Sequence, residues 1–222
     1  MSDLLVILVD YVTVLPWLEL VAMLLALAYV ILAAQGSLWC WPAAFISTAL
    51  YTFIFYDVLL LMDSALNAYY LVMAIYGYWA WQKNTSTNTN QNQSSTNTPL
   101  AIISWSGNRH LKICLSLTIT SLVLGYIVAN YTPASFPYLD TFTTVFAVFS
   151  TYLVTQKVLE NWLYWVVIDA VSIYLYIEKD LIPTTVLFII YVAIALYGYF
   201  KWLAIYRRSK VEQINLSTIV TG

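Results

Sequence analysis

Long uninterrupted apolar runs constrain this chain more than any other feature of its sequence. One of them, VAMLLALAYVILAA, extends from Val21 to Ala34 without a charged residue. A helix needs about 20 predominantly apolar residues to cross the hydrocarbon core of a bilayer. Only 9% of the 222 residues are charged, whereas soluble domains carry about 25% charged residues. The sequence therefore predicts a membrane protein with most of its mass in lipid.

Polar breaks divide the chain into seven apolar segments, each long enough for one helix. The breaks contain Gly, Pro, Ser and charged residues, which end helices or lie in the headgroup region. We therefore expect an all-α polytopic membrane protein. Its seven transmembrane helices are predicted near residues 17–34, 39–56, 64–82, 111–129, 138–155, 161–177 and 182–203.

The segments outside the predicted helices differ in character. Residues 1–16 begin with an acidic rather than a basic region, and their apolar stretch is too short to span, so we expect an interfacial segment and not a signal peptide. The stretch from Asn84 to Pro99 contains no apolar residue, which is typical of disorder. We therefore place a polar disordered cytoplasmic linker at 84–110. Residues 204–222 return to mixed polarity and are predicted to form a cytoplasmic tail.

The basic residues indicate the orientation of the chain. With the N-terminus outside, eight of the nine Lys and Arg residues fall near the cytoplasmic ends of spans, and only Lys179 falls outside. This distribution follows the positive-inside rule. We therefore expect an external N-terminus and a cytoplasmic C-terminus.

The sequence matches itself when it is shifted by 121 residues. The shift aligns Trp41 with Trp162, and Gln35 with Gln156. It also places YGYWAW, which begins at Tyr76, over YGYFKW near the end of the second half. Because Trp and Gln are rare inside spans, chance is a poor explanation for these matches. The sequence therefore predicts an internal repeat.

Each matched half holds three helices. The first repeat is 17–83, the second is 138–203, and a linker helix at 111–131 lies between them. An odd linker helix restores the original direction, so the sequence predicts parallel repeats in a 3+1+3 plan. Transporters built from parallel repeats bind their substrate near the midplane where the repeats meet. A duplicated scaffold without a passage is the alternative.

A carboxylate lies inside the otherwise apolar sixth segment. A charge at the centre of a membrane helix costs about 2.5–3.5 kcal/mol, so such residues normally face a bundle interior or a wet cavity. Asp169 follows Trp165 by one helical turn, so the two share a face. Aromatic faces stack on flat rings and attract cations. At helical spacing on this and two further helices, we predict a substrate site at Ser47, Tyr51, Asn67, Tyr70, Asn161, Trp162, Trp165, Asp169 and Ser172.

Other polar and aromatic residues have structural interpretations. Tryptophan and tyrosine at span ends usually form the interfacial belt, to which we assign Trp79, Trp81, Trp202 and Tyr206. Glu19 and Asp140 begin matched helices, where a negative charge interacts favourably with the helix dipole.

The sequence gives little support for an enzyme. His110 is the sole histidine and has no second metal ligand beside it in sequence. Cys40 and Cys114 belong to no CxxC or Cys/His spacing and are expected to be buried structural thiols. There is no phosphate-binding loop. We expect no metal, no cofactor and no nucleic-acid partner.

Three motifs resemble the PnuC family of bacterial vitamin transporters. They are WLE from Trp17, ENWLYW from Glu160 followed by Asp169, and YGYWAW from Tyr76. The resemblance implies a 3+1+3 architecture similar to that of SWEET sugar transporters. It also implies nicotinamide riboside as the substrate, facilitated diffusion across the bacterial inner membrane, a homotrimer, and trapping by a cytoplasmic kinase that phosphorylates the substrate.

The resemblance implies alternating access, in which the two triplets rock about the central pocket. Trp165 and tyrosines would stack on the pyridinium, while Asn67, Gln156, Asn161 and Asp169 would hold the ribose or the carboxamide. Gln35 and Gln156 alternatively belong to an inner gate. Thiamine and riboflavin, the substrates of sister branches of the family, are alternative substrates. The competing functional classes are a non-transporting membrane scaffold and an intramembrane enzyme.

Overall fold

A computed structural model describes residues 17–57, 61–87 and 101–221, with side chains at 17–57, 63–82 and 101–212. The described residues form seven α-helices and one isolated β-bridge, which confirms the all-α class. In chain order the helices are α1 (Trp17–Ala34), α2 (Cys40–Asp57), α3 (Leu61–Thr87), α4 (Gly107–Tyr131), α5 (Pro137–Thr155), α6 (Asn161–Glu178) and α7 (Ile182–Thr221).

Most helix ends lie within a few residues of their predicted positions, and three differ by more. Helix α3 continues to Thr87 and α4 begins at Gly107, so both ends of the predicted disordered linker are helical. Helix α7 continues to Thr221, so the predicted tail extends the last helix. The predicted interfacial segment 1–16 and residues 88–100 of the linker lie outside the described residues.

Three of the described helices are long and apolar enough to cross a membrane. They are α1, α4 and the part of α7 from Ile182 to Glu212. The other four carry more tryptophan, tyrosine, hydroxyl and amide side chains, and α3 and α6 carry Asn67 and Asp169. These residues lower the mean hydropathy of the helices that hold them. Apolarity alone therefore does not mark all seven predicted spans.

The six helices other than α4 pack side by side in a closed ring, in which we call α1–α3 the first group, α5–α7 the second, and the two places where the groups meet the seams. Within the first group α1 packs on α2 and α2 on α3, and within the second α5 packs on α6 and α6 on α7. Contacts between α1 and α7, and between α3 and α5, close the two groups around a central space. Helix α4 packs on α5, where Gly125 lies so close to Tyr138 that a Cβ would come within 2.6 Å of the ring. A small residue thus lets two helix backbones approach.

Four buried tryptophans form the core at the end of the bundle where the α1–α2 and α5–α6 turns lie. Trp41 meets Trp81 edge to face at 5.2 Å, and Trp162 meets Trp202 in the same way at 5.5 Å. The assignment of Trp81 and Trp202 to the interfacial belt is wrong, since they are 0% and 1% exposed. Trp79, in contrast, is 53% exposed.

Two of the four buried indoles, those of Trp81 and Trp202, donate their N–H groups across the seams, whereas Trp41 Nε1 and Trp162 Nε1 have no hydrogen-bond partner among the described residues. Trp81 Nε1 donates to the carbonyl of Val154 at 3.2 Å, and Trp202 Nε1 donates to the carbonyl of Ala33 at 3.1 Å. Buried indole N–H groups usually have such a partner. Helix ends supply it readily, because their last carbonyls have no partner within the helix.

The segment before α4 is attached to the α5–α6 turn. Ile103 and Val158 form a parallel bridge, and both Ser104 and the Trp105 backbone donate to the Glu160 carboxylate. His110 Nδ1 lies 2.9 Å from the Tyr164 hydroxyl. Of the two cysteines, Cys40 is buried as expected. Cys114 is only half-buried.

Candidate functional site

A cavity of about 480 Å³ lies between the two groups of helices. All helices except α4 contribute described side chains to its wall. It extends from the start of α1, near Glu19, to the tryptophan core, where Trp41 and Trp162 form its closed end. Cavities of about 300–1,000 Å³ are typical of small-molecule sites. The space is therefore large enough for a vitamin-sized ligand.

The wall of the cavity is rich in aromatic rings. Nine of its 25 residues are Trp, Tyr or Phe, whereas these types make up 17% of the chain. Tyr51 and Phe55 are stacked with their ring centres 5.5 Å apart, and Phe188 meets Tyr191 edge to face at 5.6 Å. The rings thus hold each other in place and leave flat faces for a planar ligand.

Trp165 and Asp169 both line the cavity from α6, as the spacing of one turn predicts. Asp169 is 5% exposed, and none of the described residues donates a hydrogen bond to its carboxylate. Burying a charged carboxylate without a hydrogen-bond partner costs free energy. Because Asp169 faces the cavity, its carboxylate can form hydrogen bonds with water or with a ligand there. This explains how an apolar helix accepts the charge.

Helices α2 and α3 bring four more predicted residues to the wall, namely Ser47, Tyr51, Asn67 and Tyr70. The Asn67 amide donates to the Asp63 carbonyl at 2.9 Å, one turn earlier, which fixes the amide and leaves its oxygen as an acceptor. Ser47 is a weaker candidate, because its hydroxyl already donates to the Ala22 carbonyl at 2.8 Å.

Three of the ten predicted substrate-binding residues lie outside the cavity wall. Gln156 is half-buried and donates to the Tyr76 hydroxyl at 3.0 Å. Asn161 is completely buried at the start of α6 and donates to the Val158 carbonyl at 2.6 Å. Ser172 is buried elsewhere, one turn after Asp169. Gln35, assigned to a gate with Gln156, is exposed in the α1–α2 turn.

Several wall residues were missed in the sequence analysis. Shifting Asn67, Tyr70 and Asp169 by 121 residues gives Phe188, Tyr191 and Thr48, which all line the cavity. The repeat therefore carried a signal that spacing along single helices did not. Eight such pairs occur in the wall: 30 and 151, 33 and 154, 41 and 162, 44 and 165, 48 and 169, 67 and 188, 70 and 191, and 74 and 195.

The charged residues of the wall are both acidic. Glu19, interpreted from sequence as a helix-start charge, lines the cavity together with Asp169. No Lys, Arg or His side chain is part of the wall formed by the described residues. Nor do His, Cys, Asp and Glu cluster there, or elsewhere in the described ranges, in a group that could hold a metal. The charges of the wall therefore favour a cation over an anion.

An apolar helical bundle around an aromatic, acidic, vitamin-sized cavity is typical of a membrane transporter. The chain belongs to the nicotinamide mononucleotide transporter family, whose model matches residues 16–204. This match covers most of the chain and includes every residue of the cavity wall.

Individual relatives have low sequence identity but extensive coverage. The nicotinamide riboside transporter PnuC of Escherichia coli K12 is 24% identical over 205 residues, which cover 85% of this chain and 86% of the relative. The Shigella flexneri protein of the same name gives the same values. A crystal structure of the vitamin B3 transporter PnuC superposes with a TM-score of 0.69 at 20% identity, over 86% of this chain and 83% of that one. The relatives are transporters, not enzymes.

Proposed function

We propose that this protein transports nicotinamide riboside across the membrane by facilitated diffusion. The observation that carries the proposal is the cavity wall, where a carboxylate, an amide and a set of aromatic faces converge between two groups of helices. The name of the Escherichia coli relative supports the same substrate. No nucleotide-binding loop occurs in the sequence, so the substrate gradient would drive uptake.

The chemistry of the substrate matches that of the wall. Nicotinamide riboside carries a flat cationic ring, a neutral carboxamide and ribose hydroxyls. Trp165 and Tyr191 offer ring faces, on which a cationic ring is stabilised by both stacking and cation–π attraction. Asp169 provides the opposite charge, and Asn67 an acceptor for a hydroxyl. Of the ten predicted substrate-binding residues, we therefore propose Ser47, Tyr51, Asn67, Tyr70, Trp162, Trp165 and Asp169 as the substrate site.

Transport would proceed by alternating access between two parallel repeats in a 3+1+3 arrangement. The repeats are α1–α3 and α5–α7, and α4 is the linker helix. The eight matched pairs in the cavity wall support this plan, since they put equivalent positions on opposite sides of one site. So does the equivalence of the two seams, α1 with α7 and α3 with α5. Binding sites of parallel-repeat transporters lie at this position.

The membrane context follows from charge and from resemblance. All seven helices would cross the bacterial inner membrane, with the N-terminus outside and the C-terminus in the cytoplasm, where the basic residues lie. Gln35 and Gln156, in the α1–α2 and α5–α6 turns, would then border the cytoplasmic exit. A homotrimer and a cytoplasmic kinase that traps the substrate complete the proposal.

Thiamine is the second candidate, because its thiazolium is also a flat cation and would find the same carboxylates. Riboflavin is a weaker candidate, since its neutral ring gains nothing from Asp169. A scaffold role is disfavoured by the cavity itself, because a buried acid that faces a cavity stabilises no contact between helices.

Competition in proteoliposomes tests the proposal. The purified protein is reconstituted, uptake of labelled nicotinamide riboside is measured, and unlabelled nicotinamide riboside, thiamine or riboflavin is added in excess. We expect saturable uptake that nicotinamide riboside suppresses most strongly. Stronger suppression by thiamine would show that the protein is a thiamine transporter. Uptake no greater than that of empty liposomes, together with no thermal shift on adding any of the three compounds, would favour the scaffold role.

A further inference from the structure

The closed end of the cavity consists of two equivalent halves. Trp41 and Trp162 form its surface, and Trp81 and Trp202 lie behind them, with their ring centres 6.1 Å apart. Since Trp81 and Trp202 are 0% and 1% exposed, no water-filled path passes between them in this conformation. Any solute that leaves by this end must separate these rings.

The hydrogen bonds at this end join the two groups of helices reciprocally. Trp81 of the first group donates to Val154 of the second, and Trp202 of the second donates to Ala33 of the first. The acceptors are the matched positions 33 and 154, and the donors are the matched positions 81 and 202. Both bonds must break when the two groups move apart at this end.

Lys157 breaks the equivalence of the two halves. The α1–α2 and α5–α6 turns have the same form, with a left-handed residue at Gly36 (φ 71°) in one and at Lys157 (φ 55°) in the other. Glycine adopts this conformation easily, whereas lysine does so at a cost. Lys157 is nevertheless 2% exposed, and its Nζ lies 4.0 Å from the centre of the Trp81 ring.

The ammonium of Lys157 is poorly stabilised where it lies. Its Nζ has no hydrogen-bond partner among the residues that the structure describes. Desolvation lowers the pKa of Lys157 to about 7, against a smaller electrostatic effect of Cys40 in the other direction. The Trp81 face offsets part of the lost hydration by cation–π attraction. An opening that lets water reach Nζ would remove the remaining desolvation cost of the ammonium.

We propose that the Trp81–Val154 and Trp202–Ala33 hydrogen bonds are the latch of the inner gate, and that buried Lys157 biases this gate toward opening. The proposal rests on the proposed transport function, because a gate has meaning only if solute passes. Lys157 occupies a conformation that favours glycine, beside a ring that must move. Burial of the Lys157 ammonium thus destabilises the closed state but not the open state, because water would hydrate the ammonium in the open state.

Cys40 provides a natural reporter for the latch. It is 0% exposed, adjoins Trp41, and is one of two cysteines in the chain. In a Cys114→Ala background, the rate of alkylation of Cys40 by a small charged maleimide measures opening in the purified protein in detergent. The measurement uses no substrate, so its result stands whether or not nicotinamide riboside is transported.

Trp81→Phe and Trp202→Phe keep a ring but remove one N–H donor each. We expect either change to raise the alkylation rate by about tenfold, the effect of one lost buried hydrogen bond. Trp79→Phe, an exposed position on the same helix, is the matched control and should react like the parent. Rates for both latch variants equal to that of Trp79→Phe, with circular dichroism unchanged, would overturn the latch.

Lys157→Met retains side-chain length and the left-handed backbone but removes the charge. Because an ammonium also changes the reactivity of a nearby thiol, this variant is followed by amide hydrogen exchange in the α1–α2 and α5–α6 turns at fixed pH. We expect exchange there to slow by about tenfold or more relative to the parent, and Lys157→Arg to retain fast exchange. Equal or faster exchange in Lys157→Met would overturn the role of Lys157, and slower exchange cannot result from misfolding.

Discussion

The ring of Trp162 lies directly against the backbone of Gly198, so that a Cβ at that position would come within 2.7 Å of the indole. The matched pair Trp41 and Gly77 has the same relationship, with a closest approach of 2.3 Å. These glycines lie within helices, where alanine would otherwise be favoured by about 1 kcal/mol. We therefore infer that glycine stabilises the fold at these positions because the absence of a side chain leaves space for the tryptophans that close the cavity.

Gly198→Ala should destabilise the protein in spite of its gain in helix propensity. The new methyl group forces Trp162 to move, and overpacking of this kind costs about 1–3 kcal/mol. We expect a lower thermal midpoint in detergent and reduced uptake. Gly107→Ala is the control, because no atom lies within 4 Å of a Cβ there. If Gly198→Ala is as stable as Gly107→Ala, the contact between Gly198 and the Trp162 ring leaves room for a methyl group and the prediction is wrong.

Asp169→Asn should weaken binding of a cationic substrate while leaving the fold intact. The change keeps the shape of the side chain and removes the charge that faces the cavity. We expect a loss of about 2 kcal/mol, or about 30-fold in apparent affinity, measured by uptake at varied substrate concentration. Asp140→Asn is the control, since Asp140 lies outside the cavity wall and pairs with Lys179 at 3.4 Å. Equal affinities in the two variants would exclude Asp169 as the counter-charge.

Trp165→Ala should abolish most uptake, because it removes the ring face nearest to Asp169 along α6. We expect a loss of about tenfold or more, with Trp165→Phe retaining part of the activity because a smaller ring remains. Trp79→Ala, at an exposed position, should transport like the parent. Size-exclusion profiles of all three variants separate lost binding from lost folding. Full uptake by Trp165→Ala would place the substrate elsewhere.

The sequence predicted the helices well because each depends on local information. Apolar runs and polar breaks located α1, α2, α5 and α6 within a few residues, and the spacing of Trp165 and Asp169 placed both on the cavity face. The C-terminal ends of α3 and α7 were predicted too early, because the prediction ended each helix with its apolar segment. Polar residues can continue a helix beyond that segment, since the helical hydrogen bonds of the backbone do not require apolar side chains.

The environment of a side chain depends also on contacts between residues far apart in sequence. A tryptophan at a span end has the same local pattern whether it meets lipid headgroups or another helix, so Trp81 and Trp202 were assigned to the wrong environment. Asn161 and Gln156 lie outside the cavity wall, on either side of a turn in which Lys157 is left-handed. A left-handed backbone is not evident from a lysine in the sequence. Applying the repeat to the predicted site would have recovered Tyr191.

The stability of the protein should increase with pH because of Lys157. Burial lowers the pKa of this lysine to about 7, whereas its ordinary value is 10.5. Between these values the unfolded chain binds more protons than the folded one, so the free energy of unfolding rises with pH, and below pH 7 the contribution is constant. From pH 7 to pH 9 the rise is at most about 2–3 kcal/mol.

The parent protein should therefore show a higher thermal midpoint in detergent at pH 9 than at pH 7. Lys157→Met should lack this increment and should be the more stable of the two at pH 7, because it removes an ammonium that the folded state desolvates. A Cys40→Ala background removes the titration of Cys40, the described titratable group that interacts with Lys157, from both curves. Parallel curves for the parent and Lys157→Met would mean that the ammonium is hydrated in the folded protein and places no strain on the closed end of the cavity.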